Sequence, residues 1–174
     1  MKRIYIASVL IFIFLFNIAS ANTTIAFVDM EKILKTTNVG ASVIKQLTDL
    51  NDKNLEFFKS NEKILKGKET KLIAQRNILA ENEFQIKVDE LKIEIKDYNK
   101  NRNEQIKNFQ NIQIENRKIL LKLINPFLAI YSEQNSISVI LQKKNILIGK
   151  TELDITEKII KIINSEVKEY KIKW

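Results

Sequence analysis

Apolar residues change their spacing along this chain, and each change predicts a different element. In residues 23–28 they alternate, Ile25 and Phe27 on one side and Ala26 and Val28 on the other, which is the period of a strand. Asp29 follows at a helix N-cap position, where its carboxylate accepts free backbone N–H groups of the next turn, and a short helix is predicted through Thr36.

From residue 40 to about 131 the spacing becomes three and four. Phe84, Val88, Leu91, Ile95 and Tyr98 form a coiled-coil seam, which Ile106, Phe109 and Ile112 resume after polar Arg102. A sparser seam runs through Ile44, Leu47, Phe58, Leu65 and Leu72, with Asn51, Asn54 and Asn61 between them. A single helix would leave this stripe bare to water, so the segment is predicted to fold back as an antiparallel hairpin. A turn at Gly67 would leave badly mismatched arms; a tip near 77–82 gives arms of roughly 40 and 50 residues. Gly67 then sits mid-helix, at a cost of up to about 1 kcal/mol relative to Ala. Pro126, inside KILLKLINPFLAIY (residues 118–131), is predicted to kink the second helix where the arm meets its base.

Alternation returns in ISVILQKKNILIG (residues 137–149): Ile137, Val139 and Leu141 make one strand, QKKN a turn, and Ile146-Leu147-Ile148 the return strand. Asp154 and Glu157, three apart, form a capping-box pair at the start of a last helix whose face is Ile155, Ile159, Ile162 and Ile163. A two-stranded hairpin alone is marginal in water, and the strand at 23–28 completes its sheet. The expected fold is therefore α+β. A three-stranded β body with a capping C-terminal helix is assembled from residues 22–39 and 132–174, and a coiled-coil arm over 40–131 projects from it. So small a body buries little apolar surface, and open sheet edges favour self-association.

Composition narrows the function. Lys2-Arg3, an apolar run over 4–16 and Ala19-Ser20-Ala21 read as a secretory signal peptide over residues 1–21, cleaved between Ala21 and Asn22. With no Cys, stability comes from packing or assembly, not disulfides. No His is present either, so the usual metal ligands, nucleophiles and near-neutral acid–base groups are missing. With three Gly and one Pro, the chain has few loops to hold paired carboxylates across a cleft, so no enzyme, metal or cofactor is expected. Without Lys2 and Arg3, 27 basic residues face 21 acidic ones. This excess suits an acidic partner or an anionic membrane surface, while no motif supports nucleic acid.

IAFVDMEKIL, the charged helical hairpin, SISVILQKKNILIG and LDITEKII together resemble the Skp/OmpH family of periplasmic chaperones. The specific parts are Val28-Asp29 ending the first strand and Asp154-Ile155-Thr156 opening the last helix; any coiled coil would resemble the arm. Ala80 in RNILAENEF departs from the Ser-type cap expected at the tip. The resemblance implies a periplasmic homotrimer with a β-barrel-like core, its arms surrounding a cavity for unfolded outer-membrane proteins. The trimerisation strands would be those holding Ile25, Phe27, Val28, Ile137, Val139, Leu141, Ile146 and Ile148. An ATP-independent holdase needs only many weak contacts on flexible surfaces, and Phe57, Phe58, Ile86, Ile93 and Ile114 are the client-binding candidates. Asp29, Asp154 and Glu157 are read as helix caps. Two other readings fit the same pattern: a structural coiled-coil adaptor of the cell envelope, which would bind one folded partner, and a basic lipid-surface-binding protein, whose binding would fall steeply with salt.

Overall fold

A computed structural model describes residues 24–173; the signal-peptide assignment and its cleavage site at Ala21 and Asn22 lie outside them. Strand β1 (Thr24–Val28) leads into helix α1 (Met30–Thr36), long helices α2 (Asn38–Ala74) and α3 (Glu81–Gln134), strand β2 (Ile137–Gln142) and helix α4 (Thr156–Glu166). Helix α1 starts at Asp29, whose Oδ1 accepts the Lys32 N–H at 2.9 Å. Thr37 then ends α1 and begins α2. Its buried hydroxyl donates to the Ile33 carbonyl and accepts from the Gly40 N–H, serving both helix ends. Helices α2 and α3 are joined through residues 75–80, where Ala80 caps α3 without a side-chain hydrogen bond. Helix α3 continues as one helix through Pro126. At 37 and 54 residues, α2 and α3 extend about 55 and 80 Å. Among the described residues no helix is long and apolar enough to cross a membrane.

The core joins pieces that are distant in sequence: Ala26 and Val28 of β1, Ile33 and Leu34 of α1, Val39 of α2, Leu120 and Ile124 of α3, and Ile155, Ile159, Ile160 and Ile163 at α4. Apolar burial of this kind, at about 25 cal/mol per Å², holds the base together. The last turn of α3 needs a left-handed residue, and Ser136 takes that position at φ 53° in place of the usual glycine.

The sheet departs from the three-stranded expectation. Among the described residues it has two strands, and β1 and β2 run parallel, with Ile25 opposite Val139 and Phe27 opposite Leu141. The return strand at Ile146-Leu147-Ile148 does not form. A two-residue hairpin turn requires positive φ at its centre, which Gly and Asn adopt far more readily than lysine. Lys143–Asn145 instead make a right-handed 3₁₀ turn. The segment after it crosses the outer face of the sheet: Gly149 lies so close to the Phe27 ring that a Cβ there would come within 2.9 Å of it. Beyond this segment Asp154 makes an isolated bridge with Phe27, and the Ile155 N–H donates to the Phe27 carbonyl at 3.0 Å.

The capping box at the last helix is also corrected. Ile155 occupies the N-cap, Asp154 lies one residue earlier and accepts from the Thr156 N–H and hydroxyl, and Glu157 reaches across to pair with Lys32 of α1. The tertiary ion pair with Lys32 took Glu157 out of the reciprocal arrangement, while Asp154 keeps its local bond to the N–H of Thr156 at the start of the helix. Burial pushes the Asp154 carboxyl up, but hydrogen bonds from Lys143 and Thr156 outweigh it and hold the group below its ordinary value of 3.8. Its contribution to stability is therefore present above the unfolded value and is lost as pH falls through the folded one.

Ala at Gly40 meets the Leu34 carbonyl oxygen 2.0 Å away and is expected to destabilise by several kcal/mol, whereas Ala at Gly67, with nothing within 4 Å, is expected to stabilise α2 by up to about 1 kcal/mol. Thermal melts and amide exchange check both. In urea titrations between about pH 5 and pH 2, Asp154→Asn is expected to lose stability at the upper end and to flatten the acid dependence.

Candidate functional site

Apolar surface without a partner inside the chain occurs on the arm and on the outer face of the sheet. On α3 the seam positions repeat every seven residues, Phe84, Leu91, Tyr98 and Ile112 in one row and Val88, Ile95 and Phe109 in the other. Ile86, Ile93 and Ile114 share a third heptad position, on the side of the helix turned away from α2, and Lys100 and Lys107 occupy that same position between them. All five are exposed, so this face is a stripe of isoleucines interrupted by lysines. On α2, Phe57 and Ile64 lie beside the seam residues Phe58 and Leu65 and are also exposed.

Phe58 differs from its neighbour. The reading of Phe58 as an accessible contact residue is corrected: it is 6% exposed against 56% for Phe57. Phe58 falls in the seam row, with the Arg102 guanidinium 5.7 Å from its ring centre and the Tyr98 hydroxyl donating to its backbone carbonyl at 3.3 Å. The two rings meet edge to face at 6.1 Å.

Polar contacts set the register of the arm where apolar ones run out. Tyr98 Oη donates to Glu62 at 2.9 Å, Arg102 pairs with Glu62 at 3.5 Å, and Lys68 pairs with Glu94. Burial, then the bond to Glu62, holds the Tyr98 phenol above its ordinary 10.0. Near the tip the Arg76 guanidinium stacks 5.7 Å from the Phe84 ring centre. Partners thus descend one helix as they ascend the other, as an antiparallel pair requires. The exposed ion pairs add little stability, about 0–1 kcal/mol each. Every α3 residue from 99 to 108 is exposed, Ile106 the only large apolar one among them. Next to this bare stretch, Leu55, Phe58, Ile106 and Phe109 line an open cavity of about 270 Å³ with Asn51 and Asn54. Its polar seam residues leave it under-filled.

On the sheet, the pairing puts Ile25, Phe27, Val139 and Leu141 on the face away from the helical core. Ile25, Val139 and Leu141 are each more than 40% exposed, and Leu147 and Ile148 beside them are almost wholly so, at 102% and 94%. The other expected strand-contact residues are placed differently. Val28 is buried in the core, Ile137 packs against that core, Phe27 is covered by the 143–149 segment, and Ile146 is half-buried. Alternation named the residues of this strand pair; which face the helices would cover depended on chain far away. Leu55 and Ile64 were not singled out from sequence, although their displacement from the seam rows was the available signal.

A family model described as outer membrane protein (OmpH-like) matches residues 24–163. The fold is similar to the crystal structure of a candidate outer membrane chaperone (OmpH-like) from Caulobacter crescentus CB15, with a TM-score of 0.80 at 12% sequence identity over 86% of this chain and 88% of that one. No curated protein matches the sequence.

The two adjacent phenylalanines provide the check on the arm. Phe58→Ala is expected to loosen the middle of the arm by roughly 2–4 kcal/mol, read as faster amide exchange around residues 58 and 98, while Phe57→Ala is expected to change stability by less than about 0.5 kcal/mol.

Proposed function

The chain belongs to the OmpH-like outer membrane protein family, and from that premise we propose that it is an ATP-independent periplasmic holdase that keeps unfolded outer-membrane proteins from aggregating. The observation that carries this reading is the exposed apolar surface of an extended two-helix arm, with Phe57 on α2 and the stripe of Ile86, Ile93 and Ile114 on α3, each more exposed than buried. Such a surface has no pocket to select one folded ligand. It offers repeated weak apolar contacts instead, which together hold an unfolded chain through avidity. Lys100 and Lys107, within the same stripe, keep it soluble and attract acidic segments.

A holdase of this kind gains from several arms around one client. The exposed sheet face at Ile25, Val139 and Leu141, the free edge of β2 and the bare Leu147-Ile148 supply apolar surface for self-association, and a homotrimer with its arms around a cavity satisfies both demands. In this arrangement the sheet serves assembly and the arm serves holding. The basic excess of the chain also suits an approach to anionic membrane.

The test is dilution of a urea-denatured outer-membrane barrel protein into the purified protein, with light scattering as the readout. Suppression of aggregation at a few-fold excess is expected, and no suppression would rule the reading out. Changing Phe57, Ile86, Ile93 and Ile114 to Gln is expected to weaken suppression several-fold while circular dichroism and Tm stay near those of the parent chain. Native mass spectrometry is expected to show three copies with one client; a monomer at micromolar concentration would overturn the assembly.

A further inference from the structure

After α4 the chain stays against the arm. Residues 167–173 adopt neither helix nor strand, yet they are held at the root of the arm by two side-chain amides, Gln46 on α2 and Asn116 on α3. Gln46 Nε2 donates to the Tyr170 carbonyl at 2.7 Å and its Oε1 accepts the Ile172 N–H at 3.2 Å. Asn116 Nδ2 donates to the Lys173 carbonyl at 2.9 Å and its Oδ1 accepts the Lys173 N–H at 2.9 Å. Ser42 Oγ adds a contact to the Tyr170 carbonyl at 3.4 Å.

This pattern reads backbone. An amide side chain presents one donor and one acceptor side by side, the same pair that a neighbouring strand presents. In an extended segment successive residues direct their N–H and C=O groups to opposite edges, so Tyr170 and Ile172 share one edge and Lys173 faces the other. Gln46 takes the first edge and Asn116 the second. The segment is gripped from both sides through groups that every residue except proline carries. Side chains contribute at alternate positions: Ile172 is buried, whereas Lys171 and Lys173 are exposed. Asn116 itself occupies a seam row of α3 and is fully buried; its Nδ2 also donates to the Ile112 carbonyl at 2.8 Å, and the Tyr170 hydroxyl donates to its Oδ1 at 3.5 Å. A polar residue at such a position is costly unless its hydrogen bonds are made, and the tail makes three of them, two through its backbone and one through the Tyr170 hydroxyl.

We infer that the root of the arm carries a binding site for an extended polypeptide backbone, built by Gln46 and Asn116, which the chain's own C-terminal tail fills and from which an unfolded segment with an apolar residue at the Ile172 position displaces it. The tail is then a competitor held in cis, and the site opens in proportion to the fraction of molecules whose tail is released. That the displacing segment belongs to an unfolded client rests on the holdase reading; the site itself does not.

The probe is a fluorescein-labelled peptide of residues 167–174, measured by anisotropy against the full-length chain. Ile172→Asp in the protein weakens only the cis occupant, and is expected to bind the peptide about tenfold or more tightly than the parent chain. Adding Asn116→Ala or, as a milder change, Gln46→Ala is expected to abolish that gain. In the unaltered protein, the Ile172 and Lys173 amides are expected to be protected from hydrogen exchange and to lose protection when excess peptide is added. If Ile172→Asp fails to bind the peptide, or if binding is indifferent to both Asn116→Ala and Gln46→Ala, the tail is a fixed strap and the inference falls. Normal peptide binding combined with failed suppression of barrel aggregation would remove only the holdase reading.

Discussion

The rest of the structure depends on one junction, where the end of β1 meets the start of α4. The Ile155 N–H donates to the Phe27 carbonyl, the Asp29 N–H donates to the Thr156 hydroxyl at 2.9 Å, and that hydroxyl donates in turn to Asp154. Lys32 and Glu157 pair just outside it. The contacts between β1 or α1 and the start of α4 join residues more than 120 positions apart and hold these elements against the roots of α2 and α3. Polar groups that would be orphaned at a strand end and a helix start satisfy one another, while Val28 and Ile155 beside them enter the apolar core. Without this closure the arm would be a helical hairpin with nothing to anchor its base.

From that anchored base the arm becomes progressively less buried. Leu120 and Ile124 are core residues, Ile112 and Phe58 are still buried, and beyond them no residue of either arm helix is fully buried. Local stability follows buried apolar contact, so the gradient runs from a fixed root to a compliant tip. The cross-arm polar contacts at Glu62, Tyr98 and Arg102 hold the register in the stretch where the seam is weakest. A hairpin of this kind keeps its helices paired while its outer surface adapts to whatever lies against it. Such compliance suits contact with chains of no fixed shape.

The C-terminal tail adds a polar lock at the transition between these regimes. Gln46 and Asn116 lie where the arm leaves the core, and through the tail they link α2, α3 and the end of α4. The burial of Asn116 in a seam row, which would be a defect in an isolated coiled coil, is satisfied because the tail supplies backbone partners.

Much of this architecture was legible in the order of residues, because helices and strands impose periods of 3.6 and 2 that are local to each segment. The three–four spacing marked two long helices, the alternation at Ile25–Val28 and Ile137–Leu141 marked a strand pair, and Asp29 marked the start of a helix. The resemblance of the Val28-Asp29 and Asp154-Ile155-Thr156 pieces to one family agrees with the match over residues 24–163. Pairing and burial were not legible, since both depend on residues brought together from far apart. The apolar run Ile146-Leu147-Ile148 suits a strand, but the lysines before it do not favour the turn that would return it, and the segment covers Phe27 instead. Phe57 and Phe58 are an exception: the seam spacing already separated them, since a rotation of about 100° per residue puts Phe58 in the seam and Phe57 outside it. Asn116 and Gln46 look like ordinary polar residues of a charged helix until the tail lies across them. Sequence alone determined the local periods and the caps they require; the tertiary structure decided which faces meet, because a side chain's burial is a property of its distant neighbours.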